Sequence, residues 1–141
     1  MKQTDRVILL FSRVLIASLF IVAGVRKLLA WKAMLGYFGA LGLPMPELVL
    51  PLTVLLEIGG GLALISGWRL REVCVVMACF TFLTALSAHQ FWNAEGPKYD
   101  NQLYNFLKNV ALVGSFAVLF VQARSTSNDG AALYARPIAD G

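Results

Sequence analysis

Three ionisable side chains interrupt the otherwise uncharged apolar runs of this sequence. Arg13 and Glu57 are each the only charged residue of such a run, and Lys108 lies near the start of another. An ionised side chain at the centre of a membrane helix costs about 2.5–3.5 kcal/mol on insertion scales, so these groups face one another or a cavity. We therefore predict that Arg13, Glu57 and Lys108 meet inside a helix bundle and do not face lipid.

Depth in the bilayer predicts which of these side chains can meet. With a rise of 1.5 Å per residue in an apolar layer about 30 Å thick, Arg13 lies about 9 Å from one face and Glu57 about 13.5 Å from the other. His89 and Lys108 lie about 6 and 7.5 Å from that second face. Because a long cation from either side reaches Glu57, we predict a continuous polar core from Arg13 past Glu57 to His89 and Lys108.

Helical phase places further residues on inward faces. Lys27 shares one stripe of the first span with Arg13, and Asn109 shares one stripe of the last span with Lys108. Lys27 and Asn109 therefore join the predicted core. The alternative stays open that a paired Glu57 only fixes helix register and carries no chemistry. The two stripes are Arg13, Ala17, Phe20, Gly24 and Lys27, and then Asn105, Lys108 and Asn109.

The predicted polar core contains groups that can exchange a proton with a bound ligand. Glu57 or His89 would exchange the proton, and Lys108 or Arg13 would hold Glu57 ionised. His89 is the only histidine of the chain, which disfavours a bis-His haem or a multi-His metal site. We predict no metal site, and no nucleophile–base arrangement can be read from the spacing, so the sequence leaves open whether the chain is an enzyme.

Composition assigns the chain to the membrane class. Of 141 residues 58% are hydrophobic and 14% are charged, with a mean hydropathy of +0.69, whereas an average soluble domain carries about 25% charged residues. Four spans of about 20 residues leave no room for a separate catalytic domain. The net charge of +4 comes from basic residues near span ends. This distribution predicts a lipid bilayer as partner and no nucleic acid.

The apolar runs predict an all-α membrane protein, a four-transmembrane-helix bundle that forms a single domain over residues 1–122. The first run is an uncleaved helix rather than a signal peptide, because Arg13 interrupts it and Arg26 and Lys27 occupy the cleavage position. The predicted spans are residues 7–25, 48–67, 73–92 and 103–121.

Three connecting or terminal segments complete the predicted fold. Residues 26–47 alternate aromatic and basic positions and end in two prolines, which is typical of a short interfacial segment between helices 1 and 2. Residues 93–102 are predicted to form a polar loop. Residues 123–141 are rich in Ser, Asn, Asp and Ala and are predicted to form a flexible cytoplasmic tail.

Three successive glycines, Gly59, Gly60 and Gly61, lie inside the second span. In water they would oppose a helix, but in a bilayer small residues let neighbouring helices approach closely. We assign these glycines, with Gly24 and Ala63, to helix packing. Gly59 and Ala63 form a small-xxx-small pair.

The distribution of basic residues predicts cytoplasmic termini. An even number of spans places both termini and the second connection on one side, where the count of basic residues is higher, as the positive-inside rule requires for the cytoplasm. That side holds Lys2, Arg6, Arg69, Arg71, Arg124 and Arg136, against Arg26, Lys27, Lys32 and Lys98 on the other.

Several motifs together resemble the DoxX family of small bacterial membrane proteins, over about residues 9–121. The resemblance implies a multi-pass protein of the bacterial inner membrane with four helices, similar to the DoxD subunit of archaeal thiosulfate:quinone oxidoreductases and linked to membrane redox systems. It implies no settled activity. The motifs are Arg13, Ala23-Gly24 with Lys27, Gly42-Leu43-Pro44, the segment from Leu56 to Gly61, the turn from Gly67 to Arg71, His89, and Leu107-Lys108-Asn109.

Three functions remain as hypotheses. The first, which the resemblance implies, is an accessory or subunit of a quinone-linked redox system, in which the polar core binds a quinone headgroup and a redox partner protein supplies electrons. The second is a carrier for a small solute or a proton, for which four spans would have to form a homo-oligomer. The third is a structural bundle that stabilises or recruits another membrane complex.

Overall fold

The computed structural model describes residues 2–134, with side chains for residues 2–123. The described residues form five α-helices and a short 3-10 turn. Four of the helical segments are long and apolar enough to cross a membrane, which confirms the predicted four-span all-α architecture. The elements are α1 (Gln3–Leu29), α2 (Trp31–Ala40), α3 (Pro46–Ser66), α4 (Leu70–Ala88), the turn Phe91–Asn93 and α5 (Pro97–Tyr134).

Helix α1 is longer than the apolar run that predicted it. It has 27 residues, or about 40 Å at 1.5 Å per residue, which exceeds the thickness of the hydrocarbon layer. Polar residues extend both ends: the Asp5 carboxylate accepts a hydrogen bond of 3.0 Å from the Lys2 amide, and Arg26 and Lys27 occupy the last turn. Acidic side chains favour helix N-termini and basic ones C-termini.

Helix α2 lies within the segment predicted as interfacial, residues 26–47, and packs on α3. Phe38 of α2 is buried with Leu50 and Val54 of α3. The chain leaves α2 through Gly42, whose positive φ of 71° suits glycine, and Pro46 then begins α3. Because proline lacks an N–H group that a first helical position would leave unpaired anyway, it is well placed there.

The predicted polar loop at residues 93–102 is partly wrong, because α5 already begins at Pro97. Gly96 precedes it with a φ of 56°, and proline at a first helical position favours this start. Polar composition alone does not distinguish a loop from the first turns of a helix. The helical backbone reaches Tyr134 and residues 135–141 lie outside the described part, so the flexible tail at 123–141 stays a prediction.

The bundle consists of two antiparallel helix pairs, α1 with α3 and α4 with α5, which meet where α3 packs against α4. The rings of Phe20 and Phe116 are 5.7 Å apart between centroids, which links α1 to α5 across the centre. The buried residues of this central core are Ala17, Phe20, Leu64, Cys74, Met77, Phe116 and Leu119.

Glycine determines how closely α3 approaches its neighbours. A Cβ atom added at Gly61 would lie 2.7 Å from Ile21 Cγ1 of α1, and one added at Gly60 would collide with Met77 of α4. Gly59, however, is exposed, and a Cβ there would meet only Leu55 of its own helix. Successive helical residues point about 100° apart, so Gly60 and Gly61 face α4 and α1 while Gly59 points away from both. Within the described chain, the predicted Gly59–Ala63 pair therefore contacts no other helix through Gly59.

Candidate functional site

An ion pair between Lys27 of α1 and Glu57 of α3 lies inside the bundle. Lys27 Nζ donates to Glu57 Oε1 at 2.7 Å and to Oε2 at 3.0 Å. The side chain of Glu57 is 7% exposed and that of Lys27 is 20% exposed. Charge-assisted hydrogen bonds of this length are about twice as strong as neutral ones, and both carboxylate oxygens are satisfied.

Gly24 positions this ion pair. A Cβ at Gly24 would lie 2.7 Å from Ile58 Cγ1 and 3.2 Å from Glu57 Cβ, so only glycine permits α1 and α3 to pack this closely at Glu57. Lys27 follows Gly24 by three residues and lies on the same face of α1. Its flexible four-carbon stem spans the remaining distance to the carboxylate.

The predicted partners of Glu57, Lys108 or Arg13, were wrong. Arg13 instead covers Gly67 at the other end of α3, and Lys108 is exposed and donates to Asn105 Oδ1 at 2.8 Å. The same rise per residue from Val7 places the backbone of Lys27 at the membrane boundary, but its side chain reaches Glu57. A depth calculation locates Cα atoms and ignores the reach and direction of a lysine side chain.

The predicted continuous polar core is also wrong. On α1, Ala17 and Phe20 lie between Arg13 and Lys27, and both are buried in the central core with Leu64 and Met77. This apolar layer separates two polar regions, one at Arg13 and one at the Lys27–Glu57 pair. The inward stripe on α1 that contains both cations is as predicted, but its apolar middle interrupts the polar contacts.

A cavity of about 450 Å³ adjoins the ion pair and lies between α2, α3 and α4. Leu52 and Leu83 line it and are largely exposed, so the cavity opens toward the side of the bundle, where lipid would be. Its walls are mostly Leu, Val, Met and aromatic side chains. The polar residues that line it are Lys27, Thr53, Glu57, Thr84, Ser87 and His89.

His89 lines the same cavity near the end of the bundle that holds the α4–α5 connection. Its Nδ1 is 3.1 Å from Gln102 Oε1 of α5, and a carbonyl oxygen only accepts, so in this pairing Nδ1 donates. Because Gly60 faces Met77, helical rise places His89 about 13 Å from Glu57 along the bundle. These two groups therefore share a cavity without a direct hydrogen bond.

Gln102 is the site residue that sequence reasoning missed. It lay in the segment predicted as a loop, and its distance from His89 along the chain follows no helical period. Only the return of α5 alongside the end of α4 brings the two side chains together. Asn109, by contrast, is buried in α5 but does not line the cavity.

The structure therefore brings together three of the six predicted polar site residues, namely Lys27, Glu57 and His89, whereas Arg13, Lys108 and Asn109 lie elsewhere. Over the described part of the chain, no group of three or more His, Cys, Asp or Glu side chains is close enough to hold a metal ion. The site offers a cation, a carboxylate and an imidazole beside an apolar cavity. Such a set can bind the polar end of an amphipathic molecule and exchange protons with it.

Four membrane-length helices, a cavity at the side of the bundle and a buried ion pair define a small multi-pass membrane protein. The DoxX family model matches residues 8–90, and the chain belongs to the DoxX family, as its motifs predicted. That match extends from α1 to the end of α4 and includes Lys27, Glu57 and His89.

Two Escherichia coli proteins are similar over most of their length. The inner membrane protein YqjF is 39% identical over 121 residues, which cover 86% of this chain and 88% of YqjF. The inner membrane protein YphA is 30% identical over 115 residues, 82% of each chain. No solved structure matches the chain significantly.

Proposed function

We propose that this protein binds a quinone headgroup in the cavity beside Lys27 and Glu57, as an accessory or subunit of a redox system in the bacterial inner membrane. The inner-membrane location follows the names of the two E. coli relatives. The observation that carries the proposal is the ion pair at one end of an otherwise apolar cavity that opens toward lipid.

The shape and polarity of the cavity match an amphipathic, membrane-soluble ligand. Pockets for such ligands are mostly apolar and hold a few polar groups that fix orientation. The Lys27 ammonium donates to a quinone carbonyl, while the apolar walls and the opening past Leu52 and Leu83 accommodate the hydrocarbon tail. A water-soluble anion or sugar would find too few polar partners on these walls.

Reduction of a bound quinone to a quinol takes two electrons and two protons. In this proposal a redox partner protein supplies the electrons. Glu57 transfers protons to the reduced headgroup and is protonated again from water that enters the open cavity, at whose outer end His89 lies. The isolated protein is then expected to bind quinone but to reduce it only when such a partner is present.

The central core favours ligand binding over conduction through a single chain. Ala17, Phe20 and Met77 separate the polar region at Arg13 from the one at Glu57, so among the described side chains no continuous polar path crosses the bundle. Transport of a proton or solute would therefore need a path between copies in a homo-oligomer.

Filling the cavity should remove a bound quinone without disturbing the fold. Ser87 lines the cavity, and its hydroxyl donates to Leu83 O of its own helix, so Ser87→Phe adds a ring there and breaks only a local hydrogen bond. We expect mass spectrometry after gentle extraction to find quinone with the wild type and little with Ser87→Phe.

Ser18→Phe is the matched control, because Ser18 is exposed on α1 and also donates to a carbonyl of its own helix. It should retain quinone at the wild-type level. Lipid but no quinone in the wild-type extract, or equal retention by both variants, would contradict the proposal.

The termini are expected to face the cytoplasm, which the distribution of basic residues supports. Fusion of a fluorescent protein after residue 141 should therefore give fluorescent cells, whereas a periplasmic alkaline phosphatase fused at the same point should stay inactive. The reverse pair of results would show that the bundle has the opposite orientation.

A further inference from the structure

We propose that a second cavity, at the end of the bundle that holds the start of α1 and the α3–α4 turn, binds a phosphate-ester anion. This cavity has a volume of about 530 Å³, and four arginines line it together with one carboxylate. Arg6 and Arg13 come from α1, Arg69 and Arg71 come from the start of α4, and Glu72 is the carboxylate.

Arg13 forms the deepest polar wall of this cavity. Seven residues separate it from Arg6, which places it about 10 Å further into the bundle. Its guanidinium lies against Gly67, where a Cβ would collide with it, and its buried Nε has no hydrogen-bond partner. Because this Nε is enclosed by protein atoms, the terminal Nη1 and Nη2 groups of Arg13 are the ones that would bind an anion in the cavity.

Little negative charge within the protein balances these arginines. Among the described residues the only ion pair there joins Arg69 Nη2 to Glu72 Oε1 at 3.3 Å, and both side chains are about 60% exposed. An exposed pair of this kind is worth at most about 1 kcal/mol. Arg71 lies with its Cζ 5.2 Å from the centroid of the Phe120 ring, an arrangement that orients its guanidinium without neutralising it.

The start of α4 adds to the positive potential of the cavity. Helix α4 has 19 residues, and its N-cap, Arg69, makes no capping hydrogen bond through its side chain. The N–H groups of a first helical turn carry partial positive charge and bind anions. Arg69 also has a positive φ of 43°, a conformation that directs the chain sharply from α3 into α4.

A phosphate ester fits these groups better than a carboxylate. Guanidinium groups bind phosphate oxygens in pairs, and several arginines from two helices suit an anion with three or more oxygens. Two sources offer this chemistry: the headgroup of an anionic lipid, since basic pockets between membrane helices bind such headgroups, and a free phosphate compound. The apolar central core separates this site from Glu57, so anion binding here can be tested independently of quinone binding.

The test measures binding to the full-length protein in a non-ionic detergent. Native mass spectrometry and thermal unfolding would be recorded with cardiolipin, with phosphatidylglycerol, and with inorganic phosphate or pyrophosphate. The reference is phosphatidylcholine, a zwitterion whose phosphate charge is balanced by its own choline group. We expect at least one phosphate anion to bind and raise Tm, and Arg13→Gln and Arg71→Gln each to weaken binding about tenfold, as the loss of one charge-assisted hydrogen bond implies.

Arg26→Gln is the matched control, because it removes the same charge from the exposed surface at the opposite end of α1. Binding of the lipids alone would identify a lipid site, and binding of free phosphate would identify a soluble ligand. The proposal is overturned if no phosphate anion binds better than phosphatidylcholine, or if Arg26→Gln weakens binding as much as Arg71→Gln. Arg71 is exposed, so that variant keeps the test valid if Arg13→Gln does not fold.

Discussion

Glu57→Gln should destabilise the protein by about 3 kcal/mol, whereas Glu72→Gln should cost at most about 1 kcal/mol. Both substitutions remove one carboxylate from an ion pair, but the Glu57 side chain is 7% exposed and that of Glu72 is 59% exposed. Removing one partner of a buried pair leaves the other charge unpaired inside the bundle, which for fully buried pairs costs about 3–5 kcal/mol. The Lys27 side chain is 20% exposed, so its unpaired ammonium group remains partly solvated and the lower end of that range applies.

Thermal unfolding in detergent, followed by circular dichroism, measures both variants. The double variant Lys27→Met with Glu57→Leu removes both charges and should recover most of the lost stability, since apolar replacement of a buried ion pair is often neutral or better. The single variants Lys27→Met and Glu57→Leu complete the comparison. If the double variant loses as much stability as these two single variants together, Lys27 and Glu57 do not stabilise the fold as a pair.

The stability measurement also separates structure from ligand binding. If the ion pair only fixes the register of α1 against α3, the double variant should be stable and should retain as much quinone as the wild type. If the pair orients a bound headgroup, the double variant should be stable yet lose quinone. This comparison decides between the redox hypothesis and the structural-bundle hypothesis without a functional assay for an unknown partner.

Gly61→Val should disrupt the α1–α3 interface, with an expected loss of about 3 kcal/mol, while Gly59→Val should be close to neutral. A Cβ at Gly61 would lie 2.7 Å from Ile21 Cγ1 and 3.3 Å from the Ala17 carbonyl oxygen. The backbone oxygen cannot move aside without shifting α1, so the two helices must separate. At Gly59 the added side chain meets open space and even gains slightly in helix propensity.

The two glycine variants are matched because they lie two positions apart in one helix and carry the same added side chain. Expression level and Tm should drop for Gly61→Val alone. Equal losses for both variants in the monomer would contradict the outward placement of Gly59. A loss by Gly59→Val that is confined to a larger assembly, seen by size-exclusion chromatography, would instead show that Gly59 packs between copies in a homo-oligomer.

Much of this architecture could be predicted because hydrophobicity along a membrane chain is a local property. Each apolar run has to form its own hydrogen bonds in lipid and is therefore helical, so the four spans could be predicted from composition alone. The inward stripe from Arg13 through Ala17 and Phe20 to Lys27 was equally legible, because helical periodicity and the high cost of charge in lipid select one face. The family resemblance likewise rested on short local motifs, among them Arg13 and Ala23-Gly24 with Lys27 on α1.

Which side chains meet inside the bundle was decided only by the tertiary structure. Glu57 had several cations within reach by depth, and the choice of Lys27 depends on how closely α1 and α3 cross at Gly24. The contact of His89 with Gln102 depends on the path of α5. The sequence by itself determined the helices, their apolar faces and the ionisable groups that must avoid lipid. Interhelical packing, which no local pattern encodes, decides how those groups pair. It also decides that an apolar core separates the two polar regions.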